Sequence, residues 1–214
     1  MIQDYIIFTG VNILLAWSVY IMLMSGSLSF ANGGFMLIGA YISGVLSVRF
    51  GVPLLLAAPL AGAATFVFGV LVGFPALRTR GIYLILVTVG IAVSVRGVIE
   101  SIDYVGGVQG FGGMSGTRPW HVVAMVIAAG LGLWLVSRSP LQRILDAVRE
   151  DELVARSLGI NVLHVKLVCF GAGGFLAAVA GSFYAHYMLH VTPDEFGILV
   201  SVYIVLYVVL GGAN

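Results

Sequence analysis

Apolar runs close to the thickness of a bilayer follow one another along the chain with short polar connections between them, and one long polar stretch breaks the series. The runs lie near Ile6 to Met24, Phe35 to Val48, Val52 to Phe74, Ile82 to Ile99, His121 to Val136, Val162 to Met188 and Gly197 to Leu210. A hydrocarbon core of about 30 Å takes roughly 20 residues of helix, so each run predicts a transmembrane helix. The second and last runs are short and glycine-flanked, the pattern of a broken or re-entrant helix. Irregular backbone exists at membrane depth only where protein or a water-filled cavity satisfies it.

The polar stretch is Ser137 to Asn161, SRSPLQRILDAVREDELVARSLGIN. It holds four of the ten basic residues (Arg138, Arg143, Arg149, Arg156) and four of the nine acidic ones (Asp146, Glu150, Asp151, Glu152). Leu141, Ile144, Leu145, Val148, Ala155 and Leu158 fall near one helical face while Arg143, Asp146, Arg149, Glu150 and Arg156 lie elsewhere. Glu152 interrupts the apolar stripe, so the pattern predicts two short helices that break near Glu150 to Glu152. Gly159, followed by Ile160 and Asn161, predicts a helix stop. Such an element either lies on lipid headgroups or docks its apolar face into a cytoplasmic partner.

Composition narrows the class. Charged residues are 9% of the chain and hydrophobic ones 60%, against about 25% charged in an ordinary soluble domain, and mean hydropathy is +1.10. The fold class expected is all-α, a polytopic transmembrane helical bundle. A net charge of +1, with arginines scattered between apolar runs, provides no field for nucleic acid. Cys169 is the single cysteine, which excludes a disulfide framework and a cysteine metal site. Asp4 precedes the first run without any Lys or Arg, unlike a secretory leader, so that run is expected to stay as a span. Loops rich in Arg remain in the cytoplasm. Ser137 to Asn161 is then cytoplasmic, as is Gly73 to Gly81 with Arg78 and Arg80, while Glu100 to Pro119, Leu189 to Phe196 and the N-terminus are external.

Four stretches resemble one family in its own order. LDAVREDELVARSLGIN, with Ala147, Arg149, Glu150, Ala155 and Gly159, looks like the coupling loop of ATP-binding-cassette (ABC) importer permeases, most closely the branched-chain amino-acid permeases. GSLSFANGGFMLIGAY (Gly26 to Tyr41) is similar to that family's broken-helix motif, GFPALRTRGIYLILVTVG (Gly73 to Gly90) to its cytoplasmic turn and following span, and PDEFGILVSVYIVLYVVLGG (Pro193 to Gly212) to its outer re-entrant segment and next span. The resemblance implies one transmembrane permease domain over residues 1–214, with broken helices and a cytoplasmic coupling loop at 137–161, in the plasma (inner) membrane of a bacterium or archaeon. It implies two ABC ATPase subunits, a second permease subunit and a periplasmic or surface-tethered substrate-binding protein. ATP and Mg would sit on the partners and no cofactor on this chain. Asp146, Ala147, Arg149, Glu150, Ala155 and Gly159 would couple to the ATPases. Members usually continue beyond Gly211-Gly212 with further helices, so a chain stopping at Asn214 is expected to be C-terminally truncated.

The glycine-rich stretch has a physical reading of its own. Ser27, Ser29 and Asn32 set hydroxyls and an amide beside apolar spans, where an unsatisfied polar group costs several kcal/mol. They either line a translocation path, with a half-helix N-terminus receiving a carboxylate, or the small residues only let helices approach. Gly173-x-x-x-Ala177-x-x-x-Gly181 and Gly69-x-x-x-Gly73 read as packing faces. Gly113-Met114-Ser115-Gly116 spells the G-x-S-G of intramembrane serine proteases, but it falls in an outer loop, with no histidine evidently paired to it among His121, His186 and His190. The sequence contains no G-x-x-x-x-G-K-[ST] phosphate loop and a single lysine, Lys166, so the protein is expected to be a transport subunit and not an enzyme. Arg96 is expected to pair with Glu100 one turn away. The same architecture carrying urea, short amides or sugars, and a truncated subunit that assembles without transporting, are the competing readings.

Overall fold

The computed structural model describes residues 2–79 and 81–212. Arg80 of the charge count and Asn214 lie outside the described residues. The long helices are α1 (Ile2–Met24), α2 (Asn32–Phe50), α3 (Leu54–Ala76), α4 (Ile82–Glu100), α5 (Pro119–Ser137), α8 (Val162–Met188) and α9 (Ile198–Leu210), with α6 (Pro140–Glu150) and α7 (Glu152–Ser157) between α5 and α8. Among the described residues, seven segments are long and apolar enough to cross a membrane, α9 counting with the turn Pro193–Phe196 before it. The fold is an all-α polytopic bundle. Its only strands among the described residues are β1 (Phe111–Gly112) and β2 (His190–Val191), which pair antiparallel.

Helix boundaries follow the apolar runs, with one correction. The second span is not short: Asn32, Gly33 and Gly34 belong to α2, which is 19 residues long. Two consecutive glycines have poor intrinsic helix propensity, and tertiary contact overrides it. An added Cβ on Gly34 would lie 2.9 Å from Ala92 Cα, and one on Gly33 would lie 2.7 Å from Ser201 Oγ. α9, with 13 residues, is the short helix expected of the last run.

The bundle is built around α8, 27 residues or about 40 Å long, which packs against α1, α2 and α3. Helices in lipid associate through close contact rather than exclusion of water, so small residues gather where they cross. Gly173 lies against Ser18 O and Met22 of α1, Gly181 against Met36 O of α2, and Gly171 against Phe66 of α3. The Gly173–Gly181 stripe is a packing face, as its spacing suggests. Beside it Phe35 meets Phe170 edge-on at 5.4 Å between ring centroids. By contrast α5 leans on α1 along a single stripe, where Gly10 fits against Val122 and Gly130 against Trp17.

Two ends are distinct. One carries α6 and α7. At the opposite end Tyr187 donates to Asp4 Oδ1 at 2.6 Å, Arg49 donates to Tyr104 O at 3.2 Å, and Phe111 pairs with Val191. Residues 101–118, residues 189–196 and the start of α1 thus share an end, in keeping with alternate crossing.

Candidate functional site

The break between α1 and α2 is a buried polar junction. Ser25, Ser27, Ser29 and Asn32 are each no more than 1% exposed. Gly26 turns the chain at φ 72, a left-handed value that glycine adopts freely, and its N–H donates to Leu23 O at 2.8 Å. The following residues re-enter the bundle with two backbone N–H groups and one side-chain amide to satisfy, and side chains from three other helices take them up. Phe30 N–H donates to Thr88 Oγ1 of α4 at 3.1 Å, Gly33 N–H to Ser201 Oγ of α9 at 3.0 Å, and Asn32 Nδ2 to Ser18 Oγ of α1 at 2.7 Å. Ser29 Oγ accepts from Ala31 N–H at 3.1 Å. Ser27 Oγ and Asn32 Oδ1 are buried with no hydrogen-bond partner. Such atoms are rare in folded proteins, and leaving one unpaired costs about 1–3 kcal/mol. The α2 N-terminus is already engaged, since one of its free N–H groups is held by Ser201.

At the opposite end from the β1–β2 pair, the polar stretch forms the two short helices expected. Asp151 divides them, extended at φ −151, ψ 111, with Oδ1 accepting from Leu153 N–H at 2.7 Å and Val154 N–H at 3.2 Å. An aspartate that caps these amides stops α6 and starts α7 in one residue. Gly159 ends α7 at φ 82, with Ile160 N–H bonded to Ala155 O at 3.1 Å and Gly159 N–H to Arg156 O at 3.0 Å. This is the Schellman pattern. Asn161 Oδ1 then caps α8 through His164 N–H at 3.1 Å.

The apolar face of this stretch divides in two. Leu145 packs with Met24 and Cys169, and Val148, Ala155 and Val162 form a second small core. Leu141, at the start of α6, and Leu158, just past α7, are exposed, and the kink at Asp151 sets Leu158 apart from the α6 stripe. The outward apolar surface is instead Leu153, Val154 and Leu158, 56–72% exposed. Of the residues the resemblance picks out, Asp146, Arg149, Glu150 and Gly159 are exposed, Ala147 is half-buried and Ala155 fully buried. Gln142 Nε2 donates to Asp146 Oδ1 at 2.8 Å. The helix break comes close to the two short helices at Gly26, beside Ser27, where an added Cβ would lie 3.5 Å from Arg149 Cα.

At the far end Arg96 Nε donates to Glu100 Oε1 at 2.6 Å, the pairing its spacing suggests, and its Nη2 also reaches Asp194 Oδ1 in the turn before α9. Arg96 and Glu100 line a cavity of about 330 Å³ with Ala92, Val93, Gly97, Phe196, Gly197 and Ile198.

The full span, residues 1–214, matches the family described as branched-chain amino acid transport system / permease component. The chain belongs to this permease family. It is 31% identical to the high-affinity branched-chain amino acid transport system permease protein LivM of Salmonella typhimurium, over 88% of this chain and 53% of that protein. The LivM of Escherichia coli matches with the same identity and coverage. The autoinducer 2 import system permease protein LsrC of Klebsiella pneumoniae is 33% identical over 44% of this chain and 26% of that protein. The chain therefore spans about half the length of these curated relatives. No solved structure matches.

Several residues of this permease-family chain are visible as partners only in three dimensions. Lys166, the one lysine, is 9% exposed and pairs with Glu152 Oε1 across the Gly159 turn; Glu152 also lies 3.7 Å from Arg156. The residue that seemed to spoil the apolar stripe ties α7 to α8. Ser18, Thr88 and Ser201 lie in unremarkable apolar runs, and only a polar residue within a span hinted at them. Ser115 and His121 line a common cavity of about 390 Å³ at the far end. No hydrogen bond joins Ser115 to a histidine among the described residues: His121 Nδ1 accepts from Arg118 N–H at 3.3 Å, and His186 Nε2 is 2.6 Å from Ser47 Oγ.

Proposed function

We propose that this chain belongs to the transmembrane permease subunit of an ABC importer that carries branched-chain or related amino acids. The observation that carries the reading is the family match over residues 1–214, and the fold supports it with a buried polar helix break and a two-helix lever that touch at Gly26 and Arg149. In this reading α6 and α7 are cytoplasmic and the β1–β2 end is external. Two ABC ATPase subunits dock on the surface formed by Leu153, Val154 and Leu158 with the charges of Asp146, Arg149 and Glu150, and ATP and Mg are bound by those subunits. Ala147, Ala155 and Gly159 keep the two helices in register with the bundle. A second permease subunit completes the path, and an external binding protein delivers the substrate. Closure of the ATPase pair moves α6 and α7 as a unit, and the contact at Gly26 passes that motion to the break, where Ser27, Ser29 and Asn32 line the path when it opens.

The shorter similarity to LsrC, and to the fructose import permease protein FruF of Bifidobacterium longum, favours a second reading in which the same architecture carries an uncharged cargo such as a sugar, urea or a short amide.

The test is uptake of labelled leucine by proteoliposomes holding the transporter assembled with its ATPases and binding protein. Uptake that depends on ATP and the binding protein is expected. Gly159→Pro should abolish binding-protein-stimulated ATP hydrolysis while the protein still inserts, because the Schellman turn depends on an N–H and a positive φ that proline lacks. Ser29→Ala and Asn32→Ala should lower uptake without lowering stimulated hydrolysis. Unchanged uptake in both removes these residues from the path. Uptake of fructose or urea in place of leucine decides for the second reading.

A further inference from the structure

The cavity beside Arg96 stands next to the buried helix break, with a thin wall between them. Ala92 and Gly197 line the cavity on one side. On the other, Ala92 Cα lies 2.9 Å from the position of a Cβ on Gly34, and Gly197 O lies 3.4 Å from that of a Cβ on Gly33. Next to these glycines in α2 is Asn32, whose Oδ1 is buried and unpaired. The cavity, at about 330 Å³, falls within the range of about 300–1,000 Å³ usual for small-molecule sites.

Its lining is mixed in chemistry: α4 contributes the charged Arg96 and Glu100 beside Ala92 and Val93, and the chain entering α9 contributes the apolar Phe196 and Ile198. Glu100 holds Arg96 from one turn away on the same helix, and its side chain is 27% exposed. Asp194 reaches the same guanidinium from a different element, the turn leading into α9, and its side chain is 64% exposed. Glu100 stays within reach of Arg96 at helical spacing, whereas Asp194 comes from a separate turn and is the more exposed partner, so the Arg96–Asp194 tie is the one a charged ligand can exchange. A guanidinium presents a planar fork of donors that suits a carboxylate.

We propose that this cavity is the external mouth of the permease path and a binding site for a zwitterionic amino acid, which inserts between Arg96 and Asp194. The ligand carboxylate takes the place of Asp194 on Arg96, its ammonium takes the place of Arg96 on Asp194, and its aliphatic side chain lies on Val93, Phe196 and Ile198. The exchange conserves charge, and it parts α4 from the turn before α9, the two elements that wall off the break. The inference rests on the transport reading above and sharpens it, because urea, amides and sugars carry neither of the two charges the site exchanges.

Binding of labelled leucine to the purified transporter without its binding protein tests the site, so that the binding protein's own selectivity does not enter. The wild type should bind leucine, with leucinamide, which lacks the carboxylate, and 4-methylpentanoate, which lacks the ammonium, competing poorly. Arg96→Gln should weaken leucine binding about 10- to 100-fold, the range for losing a charge-assisted hydrogen bond. Asp194→Asn, in an exposed turn that tolerates the change, should weaken it by a similar factor, and the exchanged pair Arg96→Asp with Asp194→Arg should restore part of the loss. Undiminished binding in both single variants, equal competition by leucinamide, or no binding to the wild type would overturn the proposal. Uptake measured on the same preparations separates the levels. A wild type that imports amino acids while Arg96→Gln binds normally sinks only this site, whereas a wild type that imports none sinks the transport reading itself.

Discussion

Gly39→Ala is expected to leave no correctly folded protein in the membrane. A single methyl group on Gly39 would sit 2.1 Å from Ala178 O and 2.3 Å from Ala178 Cα. Neither atom can turn away as the tip of a side chain can, so α2 and α8 would have to separate. Overpacking a core with extra methylenes ordinarily costs about 1–3 kcal/mol because side chains absorb it. Here backbone meets backbone at the crossing that centres the bundle, and the loss should exceed that range. Size-exclusion chromatography of the detergent-extracted protein should show aggregate in place of the wild-type peak. Gly90→Ala is the matched control, since nothing lies within 4 Å of its Cβ position. It should be neutral or stabilising by up to about 1 kcal/mol, the helix propensity difference. A normal peak for Gly39→Ala would mean that the α2–α8 crossing is looser than described.

Lys166→Met should free α7 from the bundle. Glu152 would keep Arg156 at 3.7 Å, but the ammonium that now meets its Oε1 would be gone. Breaking a fully buried pair costs about 3–5 kcal/mol, and this one should cost less because the Glu152 side chain is 28% exposed. Amide hydrogen exchange over residues 153–157 should rise about 10- to 100-fold, the equivalent of one charge-assisted hydrogen bond, with exchange in α3 unaltered. In the assembled transporter the proposed lever would lose its tie to α8, and stimulated ATP hydrolysis should fall while basal hydrolysis persists. The exchanged pair Glu152→Lys with Lys166→Glu should recover part of the protection, which a purely steric role for Lys166 would not allow. Unchanged exchange in Lys166→Met would show that the small core of Val148, Ala155 and Val162 holds α7 alone.

These two sites differ in how much of them could be read along the chain. The small-residue spacing of Gly173, Ala177 and Gly181 suggested a packing face, yet Gly39 stands in a run with other glycines and nothing local marks it as the one that cannot change. Its constraint comes from where α8 crosses α2. Lys166 and Glu152 are 14 residues apart on either side of a turn, too far for a helical repeat to relate them, and Glu152 looked like an interruption of an apolar stripe. The kink between α6 and α7 was legible because Glu152 breaks the apolar stripe, and Gly159 because a left-handed stop is a local event; the Asp151 cap that makes the kink was seen only in the structure. The direction in which the kink turned Leu158 was not legible, since it depends on which side chains the bundle leaves room for.

The polar junction shows the same division. Ser27, Ser29 and Asn32 stood out as polar groups beside apolar spans, whereas their partners Ser18, Thr88 and Ser201 did not. Those partners come from three helices, as far as 168 residues along the chain.

By itself the sequence determined that the chain is a bundle of membrane helices, where each begins and ends to within a few residues, where the polar lever bends and stops, and that Arg96 pairs with Glu100. These are consequences of hydropathy, capping and helical spacing, which act over one or two turns. Only the tertiary structure decided that Gly39 admits no side chain, that Lys166 holds Glu152, that Asp194 shares Arg96, and that the lever touches the helix break at Gly26. Each of these depends on which faces of distant helices meet, and helix crossings are set by the fit of small residues across the whole bundle.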